Sequence, residues 1–372
     1  MQFIDLKNQQ EVIREKLDQR FADVMDHGQY IMGPEVTELE EKLAEFVGVK
    51  HCISCSSGTD ALLIPLMALD IGKGDAVLTT PFTYIATAEV IRLVGATPVF
   101  VDIDRDTFNM NSKLIPEAVQ LAVEKGLNPK VIIPVDLFGL PADYEQIEKV
   151  AKQYDLFILE DAAQGFGGEI HEKKAGSFGD VAATSFFPAK PLGCYGDGGA
   201  IFTDDDSLVE KMISIRVHGS GSDKYDNVRL GINGRLDTLQ AAILLEKLAI
   251  FPEEIIKRNE AAEYYTSNLS NHYETPDIPD GYISVWAQYS ILARSSTDRD
   301  SAIEHLKSHN IPAMIYYKIS LHQQEVFSDL GYKKGVFPVS EECSEKIFSI
   351  PMHPYLDNSQ QDAIIEVLNS CE

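Results

Sequence analysis

The sequence predicts an α/β protein with a large domain on a mostly parallel seven-stranded sheet and a smaller α/β domain after it. Three observations carry the prediction. From His51 onward, seven β-rich runs recur: HCISC, VLTTP, TPVFVDI, KVIIPV, LFILED, AATSFF and GAIFTD. The segments between the early runs, such as residues 59–68 and 84–93, have helical spacing and supply the crossovers that parallel strands require. A long charged helical stretch over residues 252–269 then leads into a second set of elements.

Residues 8–27 place Val12, Ile13, Leu17, Phe21, Val24 and Met25 at helical spacing, and the turn GQYIMGP follows. Pro34 opens a second helix with an apolar stripe of Val36, Leu39, Leu43 and Phe46, and Gly48 stops it. After Asp204 the pattern is helical through Ile215. A polar, glycine-rich passage, HGSGSDKYDNVRLGINGR, comes next; such a loop is either functional or disordered. It leads into a helix over residues 236–248, and residues 252–269 form the bridge to the second domain. The expected boundary therefore falls after position 250, with residues 1–250 as arm and large domain and residues 251–372 as the small domain. The latter combines SVWAQYSILA, a helix near residues 300–308, a strand over 311–315 and a last helix capped at Ser359.

Composition narrows the function. The 372 residues carry 58 acidic against 32 basic side chains, a formal charge of −26 that repels phosphate backbones and anionic membranes, so nucleic acid is not an expected partner. The start MQFIDLKNQQEV has neither the basic nor the apolar region of a signal peptide, and no apolar run reaches the roughly 20 residues of a membrane span; the reading is a cytoplasmic protein. Five cysteines suit a reducing compartment better than a disulfide framework. Cys52 and Cys55 lie three apart on an expected strand, hence on opposite faces, which favours neither a redox pair nor a shared metal. His305 and His309 share a helix face, but Leu306 stands where a zinc-protease motif has glutamate. No metal is expected.

Chemistry concentrates in three places. In VAATSFFPAKPLGCYGDGGA, Lys190 lies between an apolar strand and a glycine-rich turn, among Phe186, Phe187, Pro188 and Leu192. Desolvation there disfavours the ammonium and favours Schiff-base chemistry; taken alone, a lysine snorkelling at a hairpin mouth explains it equally well. In SSGTDALLIPLMAL, Ser57, Gly58 and Thr59 open an apolar helix whose free amides can hold a phosphate, although any strand-to-helix turn has this form. In FILEDAAQ, Asp161 ends a strand where open α/β sheets place ligands, or else caps a helix. Phosphate turn, aspartate and lysine together are what pyridoxal phosphate (PLP) needs. Ser185 can add a phosphate hydrogen bond, Gln164 can meet the ring hydroxyl, and Tyr84 either stacks on the ring or packs in the core.

The runs GPEVTELEEKLAEFVGVKH, SSGTDAL, PFTYIATAEVI, PVFVDID, LEDAAQGFG, GSFGDVAATSFFPAKPLGCYGDGGAIFTDD, VHGSG and GINGRLDTLQAAIL resemble the DegT-like sugar-nucleotide aminotransferases, PLP enzymes of fold type I. The resemblance spans nearly the whole chain. It implies the aspartate aminotransferase-like fold, Lys190 as the cofactor-bearing lysine, Asp161 on the pyridine nitrogen, Gln164 on the ring oxygen, Tyr84 on the ring face, and Ser57, Gly58, Thr59 and Ser185 at the phosphate. It implies that Asn233 reaches the phosphate of a neighbouring subunit, so that a homodimer shares its sites. It implies Gln29, Ile31, Arg229, Arg235, Tyr317 and His322 as substrate contacts, with L-glutamate as amino donor and a nucleotide-linked keto-sugar as acceptor. Three runs, MGPEVTELEE, FFPAKPLGCYGDGGAIFTDDD and GINGRLDTLQAAILL, are most similar to members acting on UDP-2-acetamido-2-deoxy-3-oxo-glucuronate, where Arg235 would face the sugar acid. Other members make 4-amino-4,6-dideoxy sugars, and a non-catalytic regulator on the same fold is a further alternative. Relatives with histidine in place of the lysine dehydrate sugars instead, and Lys190 argues against that chemistry. YYKISLHQQ departs from the family's Tyr-Pro-x-Pro-Leu-His pattern at Lys318 and Ser320, in the part expected to face substrate.

Overall fold

The computed structural model of the protein describes residues 1–223 and 225–371. Helices α1 (Leu6–His27) and α2 (Pro34–Val47) lead into β1 (His51–Cys55), α3 (Gly58–Ala68), β2 (Asp75–Thr79), α4 (Ala86–Leu93) and β3 (Thr97–Phe100). Next come α5 (Ile115–Glu124), β4 (Asn128–Ile133), α6 (Tyr144–Tyr154) and β5 (Phe157–Asp161). A small hairpin of β6 (Glu169–Ile170) and β7 (Lys173–Lys174) precedes β8 (Val181–Ser185), β9 (Gly199–Thr203), α7 (Asp206–Arg216) and α8 (Thr238–Asn268). The remaining elements are β10 (Tyr282–Ile283), β11 (Tyr289–Leu292), α9 (Ser296–Ser308), α10 (Pro338–Lys346), β12 (Ile347–Ile350) and α11 (Asn358–Asn369).

All seven β-rich runs enter one sheet, in the order β1-β9-β8-β5-β4-β2-β3. Strands β8, β5, β4, β2 and β3 pair in parallel, while β9 runs against both β8 and β1. This topology positions the site. The carboxyl ends of β1, β2, β4, β5 and β8 meet on one edge of the sheet, and the reversal at β9 keeps the connection from β8 on that same edge.

Strand alternation divides the core into two layers. Ile53, Cys55, Val77, Leu159 and Ile201 pack with α3, α4 and α7 on one face. Cys52, Ala182, Ala200 and Phe202 meet α2 and the first half of α8 on the other, and α5 and α6 extend that face. The two cysteines thus enter different layers, as the strand period requires, and burial pushes both thiols up. Beneath the Lys190 turn, Phe166, Phe186, Phe202 and Phe251 are all buried, each contributing about 1.5–3 kcal/mol of burial.

Three expectations need correction. The helices expected over 236–248 and 252–269 are one helix, α8, with Pro252 inside it. Its first half packs with α2, β8 and β9, and its second half, with Ala261, Ala262 and Tyr265, in a separate cluster with β11, β12 and α11. Packing on both halves outweighs the one backbone hydrogen bond that Pro252 cannot donate. Residues 311–315 form no strand: Pro312 lacks a donor, Ile311 N bonds back to Leu306, and only Met314 bridges to Ser349. The last helix is capped by Asp357, whose side chain accepts from the Gln360 amide at 2.8 Å while the Gln360 side chain answers the Asp357 amide, so Ser359 lies inside the first turn. Among the described residues no helix is long and apolar enough to cross a membrane.

Candidate active site

The Ser57-Gly58-Thr59 turn, the expected phosphate cradle, lies at the end of β1. Ser57 is the N-cap of α3, its hydroxyl accepting from the Asp60 amide at 3.1 Å, so the Gly58 and Thr59 amides at the first turn have no intrahelical acceptor. Ser185, at the end of β8, closes the other side. A Cβ at Gly58 would stand 2.5 Å from the Ser185 Cβ and 2.9 Å from its Oγ, so only glycine lets the two segments meet. Two free amides, the positive end of a helix and a hydroxyl then converge on one place.

Asp161 ends β5 and is buried. Its Oδ2 accepts from Thr87 Oγ1 at 2.8 Å and its Oδ1 from the Ala163 amide at 3.2 Å. Thr87 in turn lies 3.2 Å from Thr83 Oγ1. Burial raises the Asp161 pKa, opposed by the Thr87 hydrogen bond and the charge of Lys190. Among the described residues no cationic group lies within ion-pair distance of this carboxylate. Burial brings Lys190 down to about 8, against the pull of Asp161, so near neutral pH a usable fraction of the amine is free. Lys190 is half-buried.

The other residues expected at a cofactor ring gather around these two. Gln164 is buried; its Oε1 accepts from the Phe138 amide at 2.9 Å and its Nε2 donates to the Tyr317 hydroxyl at 3.1 Å. Burial pushes the Tyr317 phenol well up, and Asp161 and Tyr84 add to the effect, which puts all three in one neighbourhood. Tyr84 is 58% exposed and is not packed in the core. The segment carrying Tyr317 is tied to the Tyr84 segment through the Leu321 amide, which bonds the Pro81 carbonyl at 2.7 Å.

His322 is turned into the interior. Its ring is buried against Phe337, Nε2 stands 3.0 Å from Glu341, and burial lowers its pKa against the pull of that carboxylate. Ser320 also turns inward, bonding Ser344 Oγ at 2.9 Å and the Ser340 carbonyl, while Lys318 is exposed. Of the two departures from the family pattern, only Lys318 faces outward.

Asn233 and Arg235 flank Gly234, whose carbonyl accepts from the Ser56 amide at 3.0 Å, so this loop borders the phosphate turn. Asn233 is exposed. Arg235 Nε is buried and has no hydrogen-bond partner. The arm joins at this point: Ile31 bridges Asp237, and Thr238 N bonds the Tyr30 carbonyl at 3.0 Å, which brings Gln29 and Ile31 alongside the same loop, both exposed. Arg229 lies apart, lining a cavity of about 710 Å³ with Leu63, Met67, Leu93 and Leu230 on the α3–α4–α7 face. Within this loop Lys224 lies outside the described residues. Thr87 escaped the sequence reading; its spacing of one helical turn from Thr83 was a signal, but its acceptor is supplied by a distant strand.

Residues 11–369 match the DegT/DnrJ/EryC1/StrS aminotransferase family. The chain is 47% identical, over the full length of both, to the UDP-2-acetamido-2-deoxy-3-oxo-D-glucuronate aminotransferase of Pseudomonas aeruginosa. It superposes on a crystal structure of a DegT DnrJ EryC1 StrS aminotransferase from Brucella abortus with a TM-score of 0.96 at 50% identity, covering 100% of this chain and 99% of that one. It also matches ntda from Bacillus subtilis with bound cofactor PMP, at a TM-score of 0.89 and 28% identity, over 99% of this chain and 83% of that one. With the family match spanning nearly the whole chain and Ser57-Gly58-Thr59, Asp161 and Lys190 on one sheet edge, this protein belongs to the DegT/DnrJ/EryC1/StrS aminotransferase family.

Proposed function

We propose that this aminotransferase uses PLP to move an amino group from L-glutamate to the keto group of UDP-2-acetamido-2-deoxy-3-oxo-glucuronate, giving a 3-amino uronic acid nucleotide. The observation that carries the reading is the meeting of a lysine with a depressed pKa and a buried carboxylate with no cationic partner, beside an anion cradle that leaves no room for a Cβ. These residues fit PLP. The Gly58 and Thr59 amides with Ser185 would hold the phosphate, Asp161 the pyridine nitrogen, Gln164 the ring oxygen, Tyr84 the ring face and Lys190 the aldehyde carbon. When bound, the group supplies a ring that withdraws electrons from the carbon being deprotonated.

The chain's own residues do the rest. Asp161 keeps a pyridine nitrogen protonated, and its buried setting strengthens that interaction. Lys190 Nζ takes a proton from the carbon that bears the departing amine and returns one to the sugar carbon that receives it; an amine titrating near 8 suits both directions. Arg235, with an unpaired Nε, offers the planar fork that a sugar carboxylate accepts. The full-length likeness to the Pseudomonas aeruginosa enzyme supports the choice of sugar. The reading includes a cytoplasmic homodimer serving surface-polysaccharide synthesis.

Incubating the protein with glutamate and a panel of keto-sugar nucleotides, with products read by mass, tests the substrate. The 3-oxo-glucuronate nucleotide is expected to gain an amine; turnover of 4-keto-6-deoxy nucleotides alone would replace this reading, and no turnover of any would favour a binding protein on the same fold.

Subunit sharing is tested by complementation. Asn233 and Arg235 are assigned to the partner's site. Co-assembling inactive Lys190→Ala and Arg235→Ala chains is then expected to restore about a quarter of wild-type activity, since random mixing makes half the dimers mixed and each mixed dimer has one intact site. If Arg235 acts within its own subunit, no mixed dimer has an intact site and no activity returns.

A further inference from the structure

Lys247, in the first half of α8, is 0% exposed, a setting lysine seldom occupies without a paired acid. Among the described residues no carboxylate lies within ion-pair distance of it. Its Nζ instead donates to the Gly193 carbonyl at 2.5 Å and stands 4.2 Å from the centre of the Tyr195 ring. The groups facing it are Tyr195 and Cys194 from the turn and Glu254 from its own helix. Glu254 is already taken by the Gln9 amide and the Tyr355 hydroxyl. Burial brings the Lys247 ammonium down to about 8, opposed by Glu254 and Cys194. A methionine would fill this space without burying a charge, so packing alone does not account for the lysine.

Its acceptor lies in the turn that carries Lys190. That turn doubles back so tightly at Gly193 that a Cβ there would come within 2.6 Å of the Phe187 and Pro188 carbonyl oxygens. The Lys190 amide bonds the Phe187 carbonyl and the Cys194 amide the Phe186 carbonyl, each at 2.8 Å. The Tyr195 amide bonds Gln240 Oε1 at 2.9 Å. Gln240 and Lys247 are two helical turns apart on one face of α8, so a single rigid helix grips the turn at two points. The buried Gly193 carbonyl needs a donor, and Lys247 provides it.

We propose that Lys247 is a positioning residue for Lys190: it clamps the Gly193 carbonyl to α8 and thereby holds the turn over residues 186–195 so that the Lys190 amine stays at the Asp161 edge. The inference rests on Lys190 being the cofactor lysine, a premise that borohydride reduction of the loaded protein and peptide mass analysis test separately.

The deciding experiment compares wild type, Lys247→Met and Lys247→Arg as full-length proteins. In the cofactor-free state, the rate of Lys190 acetylation by acetic anhydride is followed against pH by mass spectrometry. With the clamp gone, water reaches the Lys190 amine, and its midpoint is expected to rise by roughly one pH unit toward the ordinary lysine value. In the loaded enzyme, kcat is expected to fall roughly tenfold or more with KM for the sugar nucleotide within about twofold, because positioning and not binding is lost. Lys247→Arg, which keeps a charged donor, is expected to recover part of both. A folded Lys247→Met that only melts earlier, with the Lys190 midpoint and kcat unmoved, overturns the proposal. If Lys247→Met does not accumulate as folded protein, Lys247→Gln, whose shorter amide falls short of the carbonyl, decides by the same midpoint: moved supports the clamp, unmoved refutes it.

Discussion

Lys190→Ala is expected to lose turnover by on the order of 10⁴-fold or more, because one side chain both holds the cofactor and moves the proton, and alanine does neither. The loss should be specific. Lys190 is half-buried, and its backbone amide already bonds the Phe187 carbonyl, so truncation removes no hydrogen bond that the turn depends on. The melting temperature is therefore expected to stay near that of wild type, while borohydride reduction of the loaded protein no longer marks the peptide containing position 190. Substantial turnover by this variant, or reduction that marks another lysine in wild type, would remove Lys190 from its role.

The second large effect is expected at Asp161. Asp161→Asn keeps the shape, but its one amide oxygen can accept from Thr87 or from the Ala163 amide and not from both, and it loses the charge that keeps a pyridine nitrogen protonated. Turnover is expected to drop on the order of 10²–10³-fold, the scale seen when one preorganised electrostatic partner of a transition state is removed. A second readout needs no activity. The Asp161 anion raises the Lys190 pKa while burial lowers it; removing the anion leaves burial alone, so in the cofactor-free variant Lys190 should titrate below about 8. This is the opposite direction to that expected for Lys247→Met, so the two effects are told apart by sign. Near-wild-type rates together with an unmoved Lys190 midpoint would show that Asp161 serves neither purpose.

The parts of this site legible in the sequence are those whose chemistry is written locally. Ser57, Gly58 and Thr59 follow directly from a strand and open a helix; Asp161 ends a strand; Lys190 sits between two apolar runs. Each needs only the neighbouring residues to be read, and the sheet edge then brings them together. Thr87 and Lys247 could not be read this way. Thr87 acquires its role from an aspartate on another strand, and Lys247, placed in a helix that looked like ordinary core, acquires its own from a carbonyl in the Lys190 turn.

His322 and Ser320 illustrate the reverse case. Their position in a motif pointed outward, but a helix lying later in the chain supplies Glu341 and Ser344, and His322 Nε2 and the Ser320 hydroxyl turn toward those partners. Pro252 makes the same point for the backbone: proline locally reads as a break, yet two cores bury opposite ends of α8 and keep it whole.

By itself, the sequence determined the seven strands and the order in which Ser57-Gly58-Thr59, Asp161 and Lys190 reach one sheet edge, because short-range periodicity and residue type suffice for these. Only the tertiary structure decided that Ser320 and His322 turn inward, that α8 is continuous, and that a buried Lys247 grips the Lys190 turn. These depend on which distant donors and acceptors the fold brings within about 3 Å, and a hydrogen bond or a desolvated charge has no energy until both partners are in place.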